Sequence, residues 1–241
     1  MSRFYSSPIS EAVLPLWLAC FPDDGEEEVR HLLSLLADGG LWLRADEDGE
    51  AACGGLLLPV TLGGRQGYYL YAIGTRPAFR GRGYLRAFLS AAKEKARADG
   101  MDFLILIPAT EALSELYRRY GFTEELPLAA DAEGGHPVYR LPRGLTLTPY
   151  DGDARKLYAR YRGPLSFPVF CATLFSVADK TRIHYTEDGF CVLARDLENE
   201  CFTADEKTLS LCEKCPSPYR ALLCPLTNVT VSVGDADPLP R

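Results

Sequence analysis

The residues best suited to chemistry form a short basic turn, Arg80-Gly81-Arg82-Gly83. The basic turn follows an apolar, aromatic run of strand type at residues 68–73 and precedes a helix predicted to begin near residue 84 or 85. Glycine lets the backbone turn tightly and approach a ligand closely. A helix start offers unpaired N–H groups at the positive end of the helix dipole. Together with the two arginines, these features predict an anion site that a pyrophosphate would fit.

The composition limits the classes of function. The chain has 241 residues, enough for one large domain or two small ones, and 47% of them are hydrophobic, enough for a substantial core. A net charge of −7 and a pI near 5.1 argue against a general nucleic-acid binder, whose surface would be basic. No apolar run approaches the roughly 20 residues of a membrane span, and the first ten residues lack the apolar core of a signal peptide. We therefore predict a cytoplasmic protein.

Eight cysteines are more than usual for this length. Without a secretion signal we expect free thiols rather than disulfides. Cys212 and Cys215 form one CxxC motif, and with Cys201 and Cys224 they could offer four thiolates to zinc. The spacing of these flanking cysteines does not match a standard zinc knuckle, and there is no second CxxC. We predict no metal, and a redox role for the CxxC motif is weaker still.

The first half of the chain must position the basic turn, and its periodicity predicts a strand, two helices and then a three-stranded meander. A proline at position 15 must kink the first helix or delay its start. The half is completed by a helix after the basic turn, a buried strand, another helix and two final strands. The predicted ranges, in chain order, are 3–7, 9–21, 26–38, 41–45, 51–62, 68–75, 84–99, 102–108, 111–120, 123–128 and 137–141.

The order of predicted helices followed by strands begins again near residue 143, which predicts two domains, at residues 1–142 and 143–241. The second part again shows helices followed by strands, which hints at a degenerate structural duplication. Its predicted helices cover residues 151–162 and 167–179, and its predicted strands cover 182–186, 189–195, 200–204 and a stretch within 222–233. The expected fold class is α+β, with a mostly antiparallel central sheet flanked by helices and a smaller C-terminal α+β lobe.

Residues 1–141 resemble the GCN5-related N-acetyltransferase (GNAT) family. The family's phosphate motif is Arg or Gln, two residues, Gly, one residue, then Gly or Ala. Arg80 and Gly83 match its first two anchors, whereas Leu85 stands at the last, small position. The family's last helix commonly ends Tyr-x-x-x-Gly-Phe, which matches Tyr117 to Phe122. The resemblance implies the GNAT fold and acetyl-CoA as co-substrate.

The resemblance also implies roles for individual residues. Backbone amides after Arg80 would hold the pyrophosphate. The end of the strand at 68–75 would splay from the strand at 103–108, pair with the pantetheine arm and polarise the thioester carbonyl. Tyr117 would be the general acid that protonates the departing thiolate, with a core role for Tyr117, or Tyr120 as the acid, as alternatives. The expected cofactor-binding residues are Ile73, Gly74, Thr75, Arg80, Gly81, Arg82, Gly83, Tyr84, Leu85 and Arg86.

The general base is not legible in the sequence, because the central strand at 68–75 contains no Asp or Glu. Glu50, Glu111, Glu115 and the C-terminal carboxylate of Arg241 stay open as candidates. His31, His136 and His184 are expected to be surface residues or to lie outside the resembling part. Cys53 is a poor candidate nucleophile, because direct transfer in this family needs no acyl-enzyme.

The leading hypothesis is a cytoplasmic acyltransferase that moves an acetyl group from acetyl-CoA to a primary amine, either a small molecule or a protein. One alternative is a non-catalytic acyl-CoA sensor or scaffold, and another is an interaction protein in which the C-terminal half dominates. We expect no nucleic-acid partner and no membrane partner, and a homodimer is a candidate assembly. The acidic chain weakly favours a cationic acceptor.

Overall fold

The computed structural model describes residues 3–127, 139–140, 146–161, 165–175, 180–185, 190–193, 200–203 and 220–225. Strand β1 covers Tyr5–Pro8, and after a short 3-10 turn helix α1 covers Leu14–Cys20 and helix α2 covers Glu26–Leu36. Pro15 lies in the first turn of α1, where its missing N–H would be unpaired in any case. Of the two outcomes predicted for this proline, the late helix start is the one observed.

The predicted meander forms from three antiparallel strands: β2 at Leu41–Glu47, β3 at Glu50–Leu62 and β4 at Arg65–Thr75. After the basic turn come helix α3 at Tyr84–Ala98, strand β5 at Phe103–Leu106, helix α4 at Glu111–Arg119 and strand β6 at Glu124–Pro127. The element types agree with the sequence pattern throughout this half, because each helix and strand has its own hydrophobic period.

The rest of the chain, from residue 139 onward, contributes shorter elements. Its helices are α5 at Ala154–Tyr158 and α6 at Phe167–Phe175. Its strands are β7 at Tyr139–Arg140, β8 at Thr148–Pro149, β9 at Ile183–Tyr185, β10 at Phe190–Leu193, β11 at Glu200–Thr203 and β12 at Arg220–Pro225.

Two sheets organise these strands. The first has the order β1-β2-β3-β4-β5-β12-β6, and each of its neighbouring pairs is antiparallel except β4 and β5, which run parallel. The second has the order β7-β11-β10-β9-β8 and is antiparallel throughout. The predicted α+β class with a mostly antiparallel central sheet is therefore confirmed.

Each half of the chain lends a strand to the sheet of the other half. Strand β12 lies between β5 and β6 of the first sheet, with Leu222 opposite both Leu106 and Glu125. The strand predicted at residues 137–141 forms as β7, but it pairs with β11 in the second sheet instead of following β6 in the first. The division at residue 142 stays a prediction, and any folding unit built from the first sheet includes β12.

The first sheet is covered on both faces. One core cluster joins it to α1, α2, α5 and α6, through residues such as Trp17, Leu33, Leu157 and Phe170. The other joins it to α3 and α4, through residues such as Phe88, Leu89, Tyr117 and Phe122. Helix α6 thus belongs to the same core as the N-terminal helices, because it packs on α2 and β3.

Across the described helices, none has the length and apolar character that a membrane crossing requires. The predicted loop at residues 131–135, the CxxC motif of Cys212 and Cys215, and the C-terminal carboxylate of Arg241 lie outside the described residues.

Candidate active site

The basic turn lies between a short 3-10 turn that follows β4 and the first residue of α3. Gly81 and Gly83 have φ of +75° and +80°. A Cβ on either glycine would meet no atom within 4 Å, so the backbone conformation, and not crowding, requires glycine here. Gly83 is the N-cap of α3 and supplies no side-chain acceptor. The first turn of this helix is therefore arranged to offer N–H groups to an anion.

The two arginines of the basic turn differ in their contacts. Both terminal nitrogens of Arg82 are used within the protein: one donates to Glu47 Oε1 at 3.1 Å and the other to the Ala78 carbonyl at 3.1 Å. Its guanidinium also lies 5.2 Å from the centre of the Phe79 ring. Arg82 therefore ties the basic turn to the end of β2, a contact that the sequence analysis did not anticipate.

Arg80 is held differently. Its Nε donates to the Thr75 carbonyl at 3.1 Å, and within the described part of the chain its two terminal nitrogens make no hydrogen bond. These nitrogens form the fork that binds phosphate oxygens in pairs. The two arginines were predicted to contact the ligand alike, whereas the contacts favour Arg80 as the one that does so directly.

A β-bulge lies near the end of β4. Its pairing with β3 shifts register between Gly54 and Leu56, so that one residue of β3 faces Ala72 and Ile73 together. Ala72 has φ of +49°, which is uncommon for a residue other than glycine. An alanine in the sequence does not indicate a positive φ. The Gly54-Gly55 pair in the neighbouring strand could have indicated the bulge, since glycine inside a strand often marks one. The sequence analysis missed this bulge.

Strands β4 and β5 pair over a short contact and then separate in the direction of the bulge. They pair at three positions that end with Tyr69 opposite Ile105. Strand β5 ends one residue later, at Leu106, whereas β4 continues for six residues to Thr75. Along those six residues β4 has no strand neighbour on its β5 side in the described structure. The splay expected from the family resemblance is thus present, and it leaves the backbone edge that carries Ile73, Gly74 and Thr75 without a neighbouring strand on that side.

Thr75 connects the parts of the site. Its carbonyl accepts the Arg80 hydrogen bond described above, and its hydroxyl donates to Cys53 Sγ at 3.3 Å. Cys53 and Tyr117 belong to the same core cluster. Hydrogen bonds at Thr75 therefore join the basic turn to the end of β4, and through Cys53 this point borders the core cluster that contains Tyr117. Ile73 and Thr75 are half-buried there, and Gly74 is buried.

Tyr117 is 8% exposed, and its ring packs edge-on against Phe122 with 5.9 Å between ring centres. In the described residues its hydroxyl has no hydrogen-bond partner, although the second core cluster surrounds its ring. Burial raises the pKa of Tyr117 to about 12, with a smaller contribution from the Cys53 thiol. The phenol is therefore neutral across the physiological range and can act as a proton donor. The ring of Tyr117 thus lies in the core, and its role as the general acid stays a prediction.

Cys53 is fully buried, and burial raises the pKa of its thiol to about 11, against a lowering effect of the Thr75 hydrogen bond. A thiol with this pKa is almost entirely protonated at neutral pH, and only the thiolate is an effective nucleophile. The structure thus gives Cys53 a packing role beside Thr75, in agreement with its low rank as a nucleophile.

Two of the carboxylates considered as general bases, Glu50 and Glu111, are held in ion pairs, and a third, Glu115, is exposed on α4. Glu50 pairs with Arg76 at 3.3 Å and Glu111 pairs with Arg118 at 3.0 Å, and both are exposed. Asp24, which the sequence analysis did not consider, accepts a hydrogen bond from Trp17 Nε1 at 2.7 Å. Among the described residues no group of three or more His, Cys, Asp or Glu side chains is placed to hold a metal ion.

Comparison with known proteins agrees with this geometry. A family model described as "Acetyltransferase (GNAT) family" matches residues 9–122, a span that includes the bulge, the basic turn and Tyr117. No curated protein sequence matches the chain.

Solved structures share the fold over most of the chain. Eis1 from Mycobacterium abscessus has 17% identity and a TM-score of 0.57, over 94% of this chain and 74% of that chain. A GCN5-related N-acetyltransferase from Anabaena variabilis has 16% identity and a TM-score of 0.56, over 93% and 73%. A probable N-acyltransferase from Enterococcus faecalis has 12% identity and a TM-score of 0.55, over 93% and 71%. At such identities the likeness shows the fold alone.

Proposed function

Residues 9–122 of this chain are an acetyltransferase domain of the GNAT family, and from that premise we propose that the protein transfers an acetyl group from acetyl-CoA to a primary amine by direct attack. The observation that carries the proposal is that Thr75, on the open edge of β4, is hydrogen-bonded to the basic turn and to Cys53, which shares a core cluster with Tyr117. A thioester, a pyrophosphate and a leaving thiolate need these three kinds of partner respectively.

The donor would lie along the splay. Its pyrophosphate would accept hydrogen bonds from the amides at the start of α3 and from the free fork of Arg80. Its pantetheine amides would pair with the backbone of β4 between the bulge and Thr75, much as an added strand pairs with a sheet edge. The proposed cofactor set of Ile73, Gly74, Thr75 and residues 80–86 is contiguous along this path.

The chemistry would proceed in one direct transfer. The neutral amine attacks the thioester carbonyl carbon, and a backbone N–H of β4 stabilises the oxyanion that forms. The carbon–sulfur bond then breaks, and the Tyr117 phenol gives its proton to the thiolate. The proton lost by the amine goes to a base or to water. Because Glu50 and Glu111 are in ion pairs, we propose water-mediated loss rather than either of these carboxylates.

The acceptor would approach from the α1 face of the sheet. Phe21, at the end of α1, lies 3.7 Å from the position that a Cβ on Gly74 would take. The following segment, residues 23–28, carries five carboxylates, at Asp23, Asp24, Glu26, Glu27 and Glu28. Negative charge beside the entrance attracts cations, so we propose a cationic amine on a small molecule or a protein. Three further points stay predictions: the cytoplasmic location, the absence of nucleic-acid and membrane partners, and the homodimer.

The proposal is tested by calorimetry with acetyl-CoA and by a thiol-release assay over a broad panel of primary amines. We expect saturable acetyl-CoA binding and amine-dependent release of CoA, with the acetylated amine identified by mass spectrometry. Binding without release across the panel would support the sensor or scaffold alternative instead. Absence of acetyl-CoA binding would overturn both.

The two arginines provide a matched pair of variants. We expect Arg80→Ala to weaken acetyl-CoA binding about 10- to 100-fold, because a hydrogen bond to a charged group contributes about 1.5–3 kcal/mol. We expect Arg82→Ala to weaken binding less than about fivefold, since its ion pair with Glu47 is largely exposed and such pairs contribute about 0–1 kcal/mol. Calorimetric dissociation constants for both variants measure the difference, and equal losses would contradict the distinction.

A further inference from the structure

A small cavity lies against the sheet at the β4 bulge, on the face that α1 covers. Its walls come from α1, from Trp42 of β2, from the Gly54-Gly55 pair of β3, and from Ala72 and Gly74 of β4. The volume that the centre of a water-sized sphere can occupy is about 10 Å³. That volume is the lower limit for holding one water molecule, and a cavity this small excludes larger ligands.

The indole N–H of Trp42 is a buried donor at this cavity. Trp42 is 2% exposed, and among the described residues its Nε1 is the one buried side-chain nitrogen or oxygen without a hydrogen-bond partner. It lies 2.8 Å from the position that a Cβ on Gly54 would take, so the glycine brings it next to the backbone of β3. An indole nitrogen can only donate, and buried donors as a rule have a protein or water acceptor.

The bulge is where acceptors for a water's own hydrogens are expected. There the pairing passes from Gly54 opposite Gly74 to Leu56 opposite Tyr71, which leaves Gly55, Ala72 and Ile73 outside the regular ladder. Of these, Gly55 and Ala72 concern the cavity. A bulge leaves its extra residue unpaired, and both of these residues line the cavity. A buried water requires two to four polar partners, and the indole together with backbone carbonyls of Gly55 and Ala72 would meet that requirement.

We propose that this cavity binds one structural water, which accepts the hydrogen of Trp42 Nε1 and donates to backbone carbonyls at the bulge. The water completes the hydrogen bonding that the bulge interrupts and holds Ala72 in its left-handed conformation. Trp42 is thereby a positioning residue for the edge that continues as Ile73, Gly74 and Thr75. Only this last consequence for acetyl transfer rests on the proposed function.

The chain supplies its own control, because it has two tryptophans. The indole N–H of Trp17 donates to Asp24 and has no need of a water. In a ¹⁵N-tryptophan sample, with signals assigned from Trp17→Phe and Trp42→Phe, we expect the Trp42 indole proton to show a water cross-peak whose sign reports a long-lived bound water. We expect no such cross-peak for Trp17. A high-resolution crystal structure should show a water within hydrogen-bond distance of Trp42 Nε1.

Either a dry cavity or a Trp42 indole bonded to a protein carbonyl in that crystal structure would overturn the proposal. Both measurements use the unmodified protein without acetyl-CoA or an acceptor, so failure of the proposed function leaves them unaffected. In Trp42→Phe we further expect the amide resonances of Ala72, Ile73 and Gly74 to move. Unchanged resonances there would contradict the positioning role, whatever the acetyl-transfer assays show.

Discussion

Replacing Tyr117 with phenylalanine is expected to lower the rate of acetyl transfer about 100-fold or more, since general acid catalysis contributes about 10²–10⁴. The change removes a phenol that burial keeps protonated, with a pKa of about 12. Because the pKa is raised, the donor form persists through neutral and moderately alkaline pH. Ionisation of the Tyr117 phenol therefore should not lower the activity below about pH 11, one unit under that pKa.

The same substitution should leave the fold intact. The Tyr117 hydroxyl makes no hydrogen bond to the described residues, and phenylalanine keeps the edge-on contact with Phe122. We expect an unchanged melting temperature and an acetyl-CoA dissociation constant within about twofold, so that the loss falls on turnover, as it does when an interaction of the transition state is removed.

Tyr120→Phe is the matched control. Tyr120 lies three residues on, at the end of α4, is half-buried, and contributes its backbone carbonyl to Lys93. We expect this variant to retain turnover within about threefold, since its hydroxyl is not the proton donor in the mechanism proposed. Full activity in Tyr117→Phe, or an equal loss in both variants, would show that the acid is assigned wrongly.

Replacing Leu223 with proline is expected to destabilise the whole first sheet, although the residue lies about 100 positions beyond the family-matched segment. Leu223 is opposite Ile105 on one side and Glu124 on the other, so β12 is a central strand. Proline lacks the N–H that a ladder requires and is found essentially only at sheet edges. Losing one ladder bond and leaving its acceptor unpaired costs about 2–4 kcal/mol, a large part of a typical stability of 5–15 kcal/mol.

Thermal unfolding measures this effect, with Leu223→Val as the control that keeps both the N–H and a good strand former. A loss of about 2–4 kcal/mol corresponds to about 4–16 °C in melting temperature for a chain of this size. Truncation after Arg143 should be more severe, because it also removes α6 from the core that α2 and β3 share. A soluble and active truncated chain would show instead that the second half is dispensable.

The sequence was sufficient to predict the structural features that depend on residues close together in the chain. Hydrophobic periodicity identified the helices and strands around the basic turn, because each element carries its own repeat. The conformations of Gly81 and Gly83 were legible because glycine is the residue that adopts positive φ without strain. The ending at Tyr117 and Phe122 supplied the family resemblance, which the family match over residues 9–122 confirmed.

Contacts between residues distant in the sequence could not be predicted from the sequence. The strand at β12 was predicted, but its place between β5 and β6 was not, since an apolar pattern specifies which faces a strand buries and not its neighbours. The hydrogen bond from Arg82 to Glu47 spans 35 residues and depends on where the end of β2 lies. Arg80 and Arg82, which flank Gly81 in the same basic turn, thus make different contacts.

The local geometry of the predicted anion site was therefore determined by the sequence itself, because a glycine-containing turn before a helix presents backbone N–H groups from nearby residues alone. Only the tertiary structure decided the rest. Pairing of β3 with β4 creates the bulge at Ala72, early separation of β4 from β5 opens the edge up to Thr75, and packing of α4 places Tyr117 in the core cluster of Cys53. These relations join segments up to 64 residues apart, from Cys53 to Tyr117, and they arise because strand pairing and core packing are selected by the whole fold.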